Sequence, residues 1–152
     1  MLFGISRTGC ICKLNPRLRT KEMRMEYVLQ RKVDFDFSTT VEKVTEALAK
    51  EGFGVLSQID VKATLKKKLD VDFRNYLILG ACNPKYAHQA LQAEPWIGSM
   101  LPCNVVVQEF EDGRVEIAAV DPLVSMQAVE NPALEEIATI IRAKLQQVVD
   151  AV

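Results

Sequence analysis

Residues 80–104, GACNPKYAHQALQAEPWIGSMLPCN, decide the fold and hold the least common residue types of the chain. The stretch contains the only histidine, the only tryptophan, two of the four cysteines and three of the six prolines. A Cys-Asn pair stands near each end, where a strand is predicted to end or to begin. These side chains make the stretch the first place to expect a functional site, and the elements on either side of it set the fold.

A buried strand and a helix account for the first part of this stretch. Tyr76 to Cys82 (YLILGAC) is apolar on both sides, which is typical of a strand that is covered on both faces. A dimer interface or a second layer would supply the second cover. Asn83 and Pro84 are the residue types of a helix N-cap and first helical position. The helix is expected to end at Pro95, and residues 96–100 to form a loop. Its predicted inner stripe is Ala87, Ala90 and Leu91.

Upstream, two predicted strands flank a helix. Residues 27–37, YVLQRKVDFDF, alternate from position 33 onward, which predicts a strand. The residues expected on one face of that strand are Val33, Phe35 and Phe37. Thr39 and Glu42 form a capping box, so the helix is expected to start there, and Gly52 to end it in the left-handed conformation. Phe53 to Val61 predicts the second strand.

Residues 63–69, ATLKKKL, predict one or two helical turns. Leu65 and Leu69 are expected to face inward, so that the three lysines between them project outward. Three neighbouring lysines are also compatible with an anion patch, but a solvated face is the ordinary fate of such a run.

Residues 103–110 and 114–120 are predicted to form a hairpin, for which two registers are open. A two-residue Asp-Gly turn would pair Gln108 with Ile117 and mix polar and apolar residues on each face. A three-residue loop with Gly113 in the left-handed bulge position pairs Phe110 with Arg114 instead. The second register is favoured because it collects apolar residues on one face. That face would carry Cys103, Val105, Val107, Val115, Ile117 and Ala119.

The last helix repeats the Asn-Pro start, at Asn131-Pro132. Apolar residues follow at helical spacing, namely Leu134, Ile137, Ala138, Ile141, Leu145 and Val148. The predicted order of elements is β-α-β-(short α)-β-α-β-β-α. This order predicts an α/β domain of the α+β kind, a sheet with helices packed against it.

Length and charge limit the classes of function. The chain has 152 residues, the size of one domain, and a net charge of −1. Residues 1–24 hold six Lys or Arg and one acid, whereas residues 25–152 hold 13 basic and 19 acidic residues. The acidic body argues against a nucleic-acid partner. No apolar run reaches the ~18 residues that a membrane helix needs, so no membrane association is expected.

Residues 1–24 are expected to be a basic leader, and residues 25–152 a single domain. The leader is interpreted as a short tail or, preferably, as an over-extended start. Arg7 and Lys13 interrupt its apolar residues, so it is not predicted to be a signal peptide. Without an export signal, Cys82 and Cys103 are expected to be free thiols in a reducing cytoplasm.

Several segments together resemble the DUF302 domain family of uncharacterised bacterial and archaeal proteins. They are GFGVLSQIDVKATLKKKLDVDF (52–73), ILGACNP (78–84), HQALQAEPWIG (88–98) and LPCNVVV (101–107). The resemblance implies a fold similar to that of the TATA-binding protein, with helices on one side of a curved, mainly antiparallel sheet. It also implies homodimers. It does not imply DNA binding, because a fold does not carry a function, and it leaves the chemistry open.

Two Cys-Asn pairs, one histidine and one acid are the candidate site residues. A helix N-terminus after Cys82 would lower the pKa of its thiol. Cys82 and Cys103 would share one end of the sheet if their strands are antiparallel, and would lie a strand length apart if the helix is a parallel crossover. The full candidate set for ligand binding is Cys82, Asn83, His88, Glu94, Cys103 and Asn104. For a metal, Cys82, His88 and Cys103 form a weak set, because their spacing matches no standard zinc pattern.

Three functions remain open on the sequence alone. The preferred one is a homodimeric, non-enzymatic module that binds a small molecule, an unidentified cofactor or a metal near the Cys-Asn pairs. The second is a thiol-dependent redox enzyme or sensor that uses Cys82 and Cys103. The third is a structural partner protein without a ligand, in which Trp96 would contribute to the dimer contact. No catalytic triad or phosphate-binding glycine loop is present in the sequence.

Overall fold

The structure is a computed structural model that describes residues 27–152. Its strands are β1 (Val28–Val33), β2 (Gly54–Asp60), β3 (Tyr76–Cys82), β4 (Cys103–Glu109) and β5 (Val115–Val120). Its helices are α1 (Phe37–Lys50), α2 (Val61–Leu69), α3 (Pro84–Ala93), α4 (Pro122–Ser125) and α5 (Pro132–Asp150), with a 3₁₀ helix at Ile97–Met100. The basic leader predicted for residues 1–24 lies outside the described residues.

The five strands form one antiparallel sheet in the order β1-β5-β4-β3-β2. Among the described strands, β1 and β2 at the two ends of this order are not paired with each other, so the sheet is open and is not a barrel. Helices α1, α3 and α5 pack on one face of it. The predicted fold class, a mainly antiparallel sheet with helices on one side, is confirmed. The structure adds a 3₁₀ helix in the segment that was predicted to be a loop, and the short helix α4 directly after β5.

The β4–β5 hairpin has the register with the three-residue loop. The Phe110 N–H donates to the Arg114 carbonyl at 2.8 Å, and Glu109 lies opposite Val115. Gly113 has a φ of +79°, a left-handed conformation that glycine adopts at little cost. All six residues predicted for the apolar face are buried, so this prediction is confirmed.

The main core lies between that face of the sheet and helices α1 and α5. Successive residues of a strand point to opposite faces, so Val105 and Val107 are fully buried while Val106 between them is only half-buried. Leu48 from α1 and Leu145 from α5 cover these strand residues and are themselves fully buried. Each such side chain contributes roughly 1.5–3 kcal/mol on burial, so this layer is the main source of stability.

The first strand is shorter than predicted, and α1 begins earlier. Strand β1 ends at Val33, Phe35 is exposed and Phe37 is the first residue of α1. The cause is Asp36, whose carboxylate accepts hydrogen bonds from the Thr39 N–H at 3.0 Å and the Thr39 hydroxyl at 2.6 Å. An aspartate N-cap of this kind satisfies a free N–H of the first turn. The predicted start at Thr39 and the strand face through Phe35 and Phe37 are therefore wrong.

Two leucines that were predicted to face inward are exposed. Leu69 is 67% exposed because α2 follows an edge strand and buries no residue along its length. Its lysines are solvated, and Lys66 contacts Asp70 at 2.8 Å. Leu91 on α3 is 45% exposed, since the small residue Ala90 makes the buried contact of that helix.

The face of the sheet opposite α1, α3 and α5 carries a row of apolar side chains. The strand pairing aligns Ile59, Ile78, Val106 and Ala118 across four neighbouring strands. Ile59 is 48% exposed and the other three are half-buried. Strand β3 is thus apolar on both sides, as predicted.

Strand β2 forms one edge of the sheet and is irregular. Its pairing with β3 shifts between Val55 and Ser57, which leaves Leu56 as an extra residue. Leu56 is 69% exposed. Opposite Ser57, strand β3 has Gly80, which is buried between Ser57 and Pro102.

Candidate ligand pocket

Both cysteines lie at the same end of the sheet. Strands β3 and β4 are antiparallel, and Ala81 lies directly opposite Cys103. The connection through α3 therefore starts β4 at the end of the sheet where β3 finishes, and does not cross to the opposite end. Of the two arrangements that the sequence left open, the antiparallel one is confirmed.

A small pocket separates this end of the sheet from α3 and α5. Cys82, Asn83 and Cys103 line it, together with Tyr86, Ala87 and Ile141 among others. About 30 Å³ of it is open to a molecule the size of water. That is room for roughly two waters, whereas drug-sized ligands occupy roughly 300–1,000 Å³. In this conformation, the pocket therefore admits only a small group or one end of a ligand.

The pocket lies at the boundary between two groups of buried side chains. The main core supplies Phe53, Ala81 and Cys103 from one side. A small cluster of Ala90, Ile97 and Leu134 holds α3 and the 3₁₀ helix from the other side. Ala90 is the one buried residue of α3, and Tyr86 and Ala93 add only partly buried contacts, so the helix buries little apolar surface. Elements held by few apolar contacts open at a lower free energy than the core.

Two asparagines lie at the ends of α3, and only one of them, Asn131, bonds to that helix through its side chain. Asn83 occupies the N-cap position before Pro84, as predicted, but its side chain makes no capping hydrogen bond. Its amide is therefore available at the mouth of the pocket. Asn131 caps α5 by accepting from the Ala133 N–H at 3.1 Å, and it donates to the Ala93 carbonyl at the end of α3, also at 3.1 Å.

Burial keeps both thiols protonated. Burial raises the pKa of Cys103 to about 11, and the neighbouring Cys82 charge adds to that shift. Burial also raises the pKa of Cys82, so the expected lowering by the helix N-terminus is not found. A nucleophilic or redox-active cysteine needs a substantial thiolate fraction, and both shifts reduce it at neutral pH.

The remaining candidate residues lie away from the pocket. His88 is exposed on α3, and Asn104 is exposed on β4, on the opposite face from Cys103. Glu94 is the C-cap residue of α3 and accepts from the Trp96 N–H at 3.3 Å. Within residues 27–152, no three His, Cys, Asp or Glu side chains are grouped so that they could hold a metal ion. The weak metal set of Cys82, His88 and Cys103 is therefore not assembled.

Comparison with known proteins places the chain in a family. The family model described as "Domain of unknown function DUF302" matches residues 29–152. The chain belongs to the DUF302 family. A solved structure of an uncharacterised conserved DUF302 protein from Bacillus stearothermophilus has 33% sequence identity and a TM-score of 0.77 with it. That match covers 82% of this chain and 97% of the other.

A curated relative is also uncharacterised. A protein from Aquifex aeolicus strain VF5 is 30% identical to this DUF302 chain over 86 residues. The match covers 49% of this chain and 60% of the relative's length. None of these descriptions states an activity. Among residues 27–152, no helix is both long enough and apolar enough to cross a membrane.

The sequence did not identify the residues that complete the pocket of this DUF302 domain. Helix α5 contributes Ile137, Ala138 and Ile141, and the segment before it contributes Pro122 and Met126. The α5 residues were predicted as core positions, and Ala138 and Ile141 are indeed buried. A small residue such as Ala138 in a stripe of large ones was the available signal, because it leaves space beside its neighbours.

Proposed function

We propose that this domain is a homodimeric binding module that takes a small, largely apolar group between α3 and the sheet. The observation that carries the proposal is the pocket that brings Cys82, Asn83 and Cys103 together. Its walls are mainly apolar, and its few polar groups are the Asn83 amide and two protonated thiols. A pocket of this composition favours an uncharged group over an ion.

The ligand would enter by displacement of α3. The helix has one buried residue, and it contacts the pocket through Ala87, Ala90 and the half-buried ring of Tyr86, so outward movement exposes little fully buried surface. That movement would enlarge the present space and expose the Asn83 amide to a polar end of the ligand. A metal is a weaker form of the proposal, since the described residues do not supply a third ligand beside the two cysteines.

The dimer is part of the proposal because the face of the sheet opposite α1, α3 and α5 is apolar and, within residues 27–152, only partly buried. Ile59, Ile78, Val106 and Ala118 form a continuous row there. A second copy on this face would bury the row, because a two-fold axis brings the same patch of both copies together. A cytoplasmic location is also proposed, because Cys82 and Cys103 are both free and thiols persist in a reducing compartment.

Native mass spectrometry of the full chain, purified without added metal or chelator, tests the proposal. We expect a dimer that carries additional bound mass. Ala87→Leu fills the pocket from α3 and should remove that mass. Gln92→Leu adds a leucine to the exposed side of the same helix and should retain it.

Two results would contradict the binding function. If wild type and both variants have the apo mass, the domain binds no ligand, and a structural partner role without a ligand becomes the better account. If Ala87→Leu keeps the bound mass, the ligand lies elsewhere. A monomer at the concentrations at which the ligand binds would remove the dimer from the proposal and leave the pocket in place.

A further inference from the structure

Arg74 holds a positive charge in a fixed position at the hairpin end of the sheet, opposite the end that carries the cysteines. Its Nε and Nη2 both donate to the Gln108 side-chain oxygen, at 3.1 and 2.8 Å. Its Cζ lies 4.6 Å from the centre of the Phe73 ring and 5.3 Å from that of Phe110. Rings and an amide oxygen orient a guanidinium but leave its charge uncompensated.

A second cation stands in the same groove and is also held by a neutral group. The Lys62 ammonium donates to the Asn75 side-chain oxygen at 2.9 Å. The NH₂ group of the same Asn75 side chain donates to the Glu109 carboxylate at 2.7 Å, so Asn75 separates Lys62 from Glu109. In the described part of the chain, neither Lys62 nor Arg74 has a carboxylate oxygen within 4.0 Å.

The acidic residues of the groove set a limit on the charge of a ligand. The groove lining includes Asp72, Glu109, Glu111 and Asp112. Asp112 contacts Arg114 at 3.4 Å and Asp72 contacts Lys66 at 3.3 Å, so these two acids already have cationic partners. Four acids nevertheless exceed the three cations of the lining, Lys62, Arg74 and Arg114. A phosphate dianion would meet more repulsion here than a single carboxylate.

We propose that this groove binds a small monocarboxylate with an apolar body. The free N–H groups of Arg74 would donate to the carboxylate, with Lys62 as the second positive charge. The parts of the Phe73 and Phe110 rings that Arg74 and Arg114 leave uncovered would contact the apolar body. The groove has a volume of about 770 Å³, which is in the range of small-ligand sites.

This site is independent of the pocket beside the cysteines. It lies where β3 begins and β4 ends, whereas Cys82 ends β3 and Cys103 begins β4. The charge and fixed geometry of Arg74 specify a carboxylate. The pocket beside the cysteines, by contrast, is suited to an uncharged group. Failure of either site to bind leaves the other unaffected.

Titration of the full chain with phenylacetate, followed by amide resonances in NMR spectra, tests the site. We expect saturable shifts confined to residue 62 and to residues 72–75 and 109–114, with a millimolar dissociation constant. Arg74→Gln should weaken binding at least about tenfold, because a hydrogen bond to a charged group is lost. Lys62→Gln should weaken it severalfold. Lys67→Gln removes an exposed lysine of α2, the helix that carries Lys62, and should leave binding unchanged.

Two ligand analogues separate charge from shape. Phenylacetamide keeps the ring and loses the charge, so it should bind at least about tenfold more weakly than phenylacetate. Equal binding of the amide, or unchanged binding by Arg74→Gln, would overturn the proposal, as would the absence of shifts in wild type. Tighter binding of phenyl phosphate would overturn the monocarboxylate assignment. If Arg74→Gln does not fold, Lys62→Gln and Arg74→Lys still decide, since both should weaken binding.

Discussion

The buried thiol of Cys103 should make the stability of the domain depend on pH in the alkaline range. Cys103 is 8% exposed and its pKa is about 11, against an ordinary value of 9.0. The folded pKa is raised, so the stabilisation is complete below pH 9 and is lost as pH rises through 11. The raised pKa corresponds to a maximum loss of roughly 3 kcal/mol.

The loss can be measured before the full range is reached. At pH about 10, the unfolded thiol is largely ionised and the folded one is not, so the expected loss is roughly 1 kcal/mol relative to pH about 8. Urea unfolding at the two pH values gives this difference for wild type and for Cys103→Ala. The variant has a different stability at both pH values, but it should lack the pH-dependent part that belongs to Cys103.

Other groups that titrate in the same pH range are present in both wild type and Cys103→Ala. The relevant quantity is therefore the difference between wild type and Cys103→Ala at pH about 10, minus the same difference at pH about 8. Cys82→Ala is the matched control, because Cys82 is only half-buried and its removal should change the slope less. If wild type and Cys103→Ala lose stability in parallel, the Cys103 thiol is not buried as described.

Three further changes test the packing of the fold by urea unfolding. Ile141→Ala should cost about 2–5 kcal/mol, as a buried truncation, and a cost below ~1 kcal/mol would place the buried face of α5 elsewhere. Asp121→Ala should cost about 1–3 kcal/mol, because its buried carboxylate accepts from Arg142 Nε at 2.8 Å; an unchanged midpoint would contradict this. Gly80→Ala should cost about 1–3 kcal/mol, since its Cβ would clash with Ser57 Oγ and lie 2.7 Å from Pro102 Cγ. Gly54→Ala, with its nearest atom at 4.0 Å, should cost less.

The parts of the fold that follow from local pattern were predictable. The hairpin register followed from Gly113 and from the alternation on both sides of it, and Asn131-Pro132 marked the start of α5. The start of α1 was predicted wrongly because two capping arrangements overlapped, and the Asp36 carboxylate is the one that forms. Leu69 and Leu91 have helical spacing, but exposure depends on whether a second layer lies above them. Whether such a layer covers them is set by the position of α2 and α3 against the sheet, and a local sequence pattern does not predict that position.

The candidate site was predictable in its location but not in its chemistry. The Cys-Asn pairs indicated the correct end of the sheet once β3 and β4 were antiparallel. The sequence could not show how deeply Cys82 and Cys103 are buried, and burial reverses the expected direction of the Cys82 pKa. It also could not show that His88 and Asn104 point away from the pocket. The grouping of Arg74 with Phe73 and Phe110 was missed, because Phe110 lies 36 positions after Arg74 and the three residues belong to no motif.

The irregular pairing of β2 affects how copies of the chain meet at high concentration. A regular edge strand with exposed Leu56 and Ile59 would be a template on which further strands could add, and such growth leads to aggregates. The extra residue at Leu56 bends this edge and interrupts its row of free N–H and C=O groups. Growth of the sheet by addition of strands at β2 is therefore disfavoured, although apolar side chains are exposed there. Deletion of Leu56 would restore a regular ladder and with it the tendency to form fibrils.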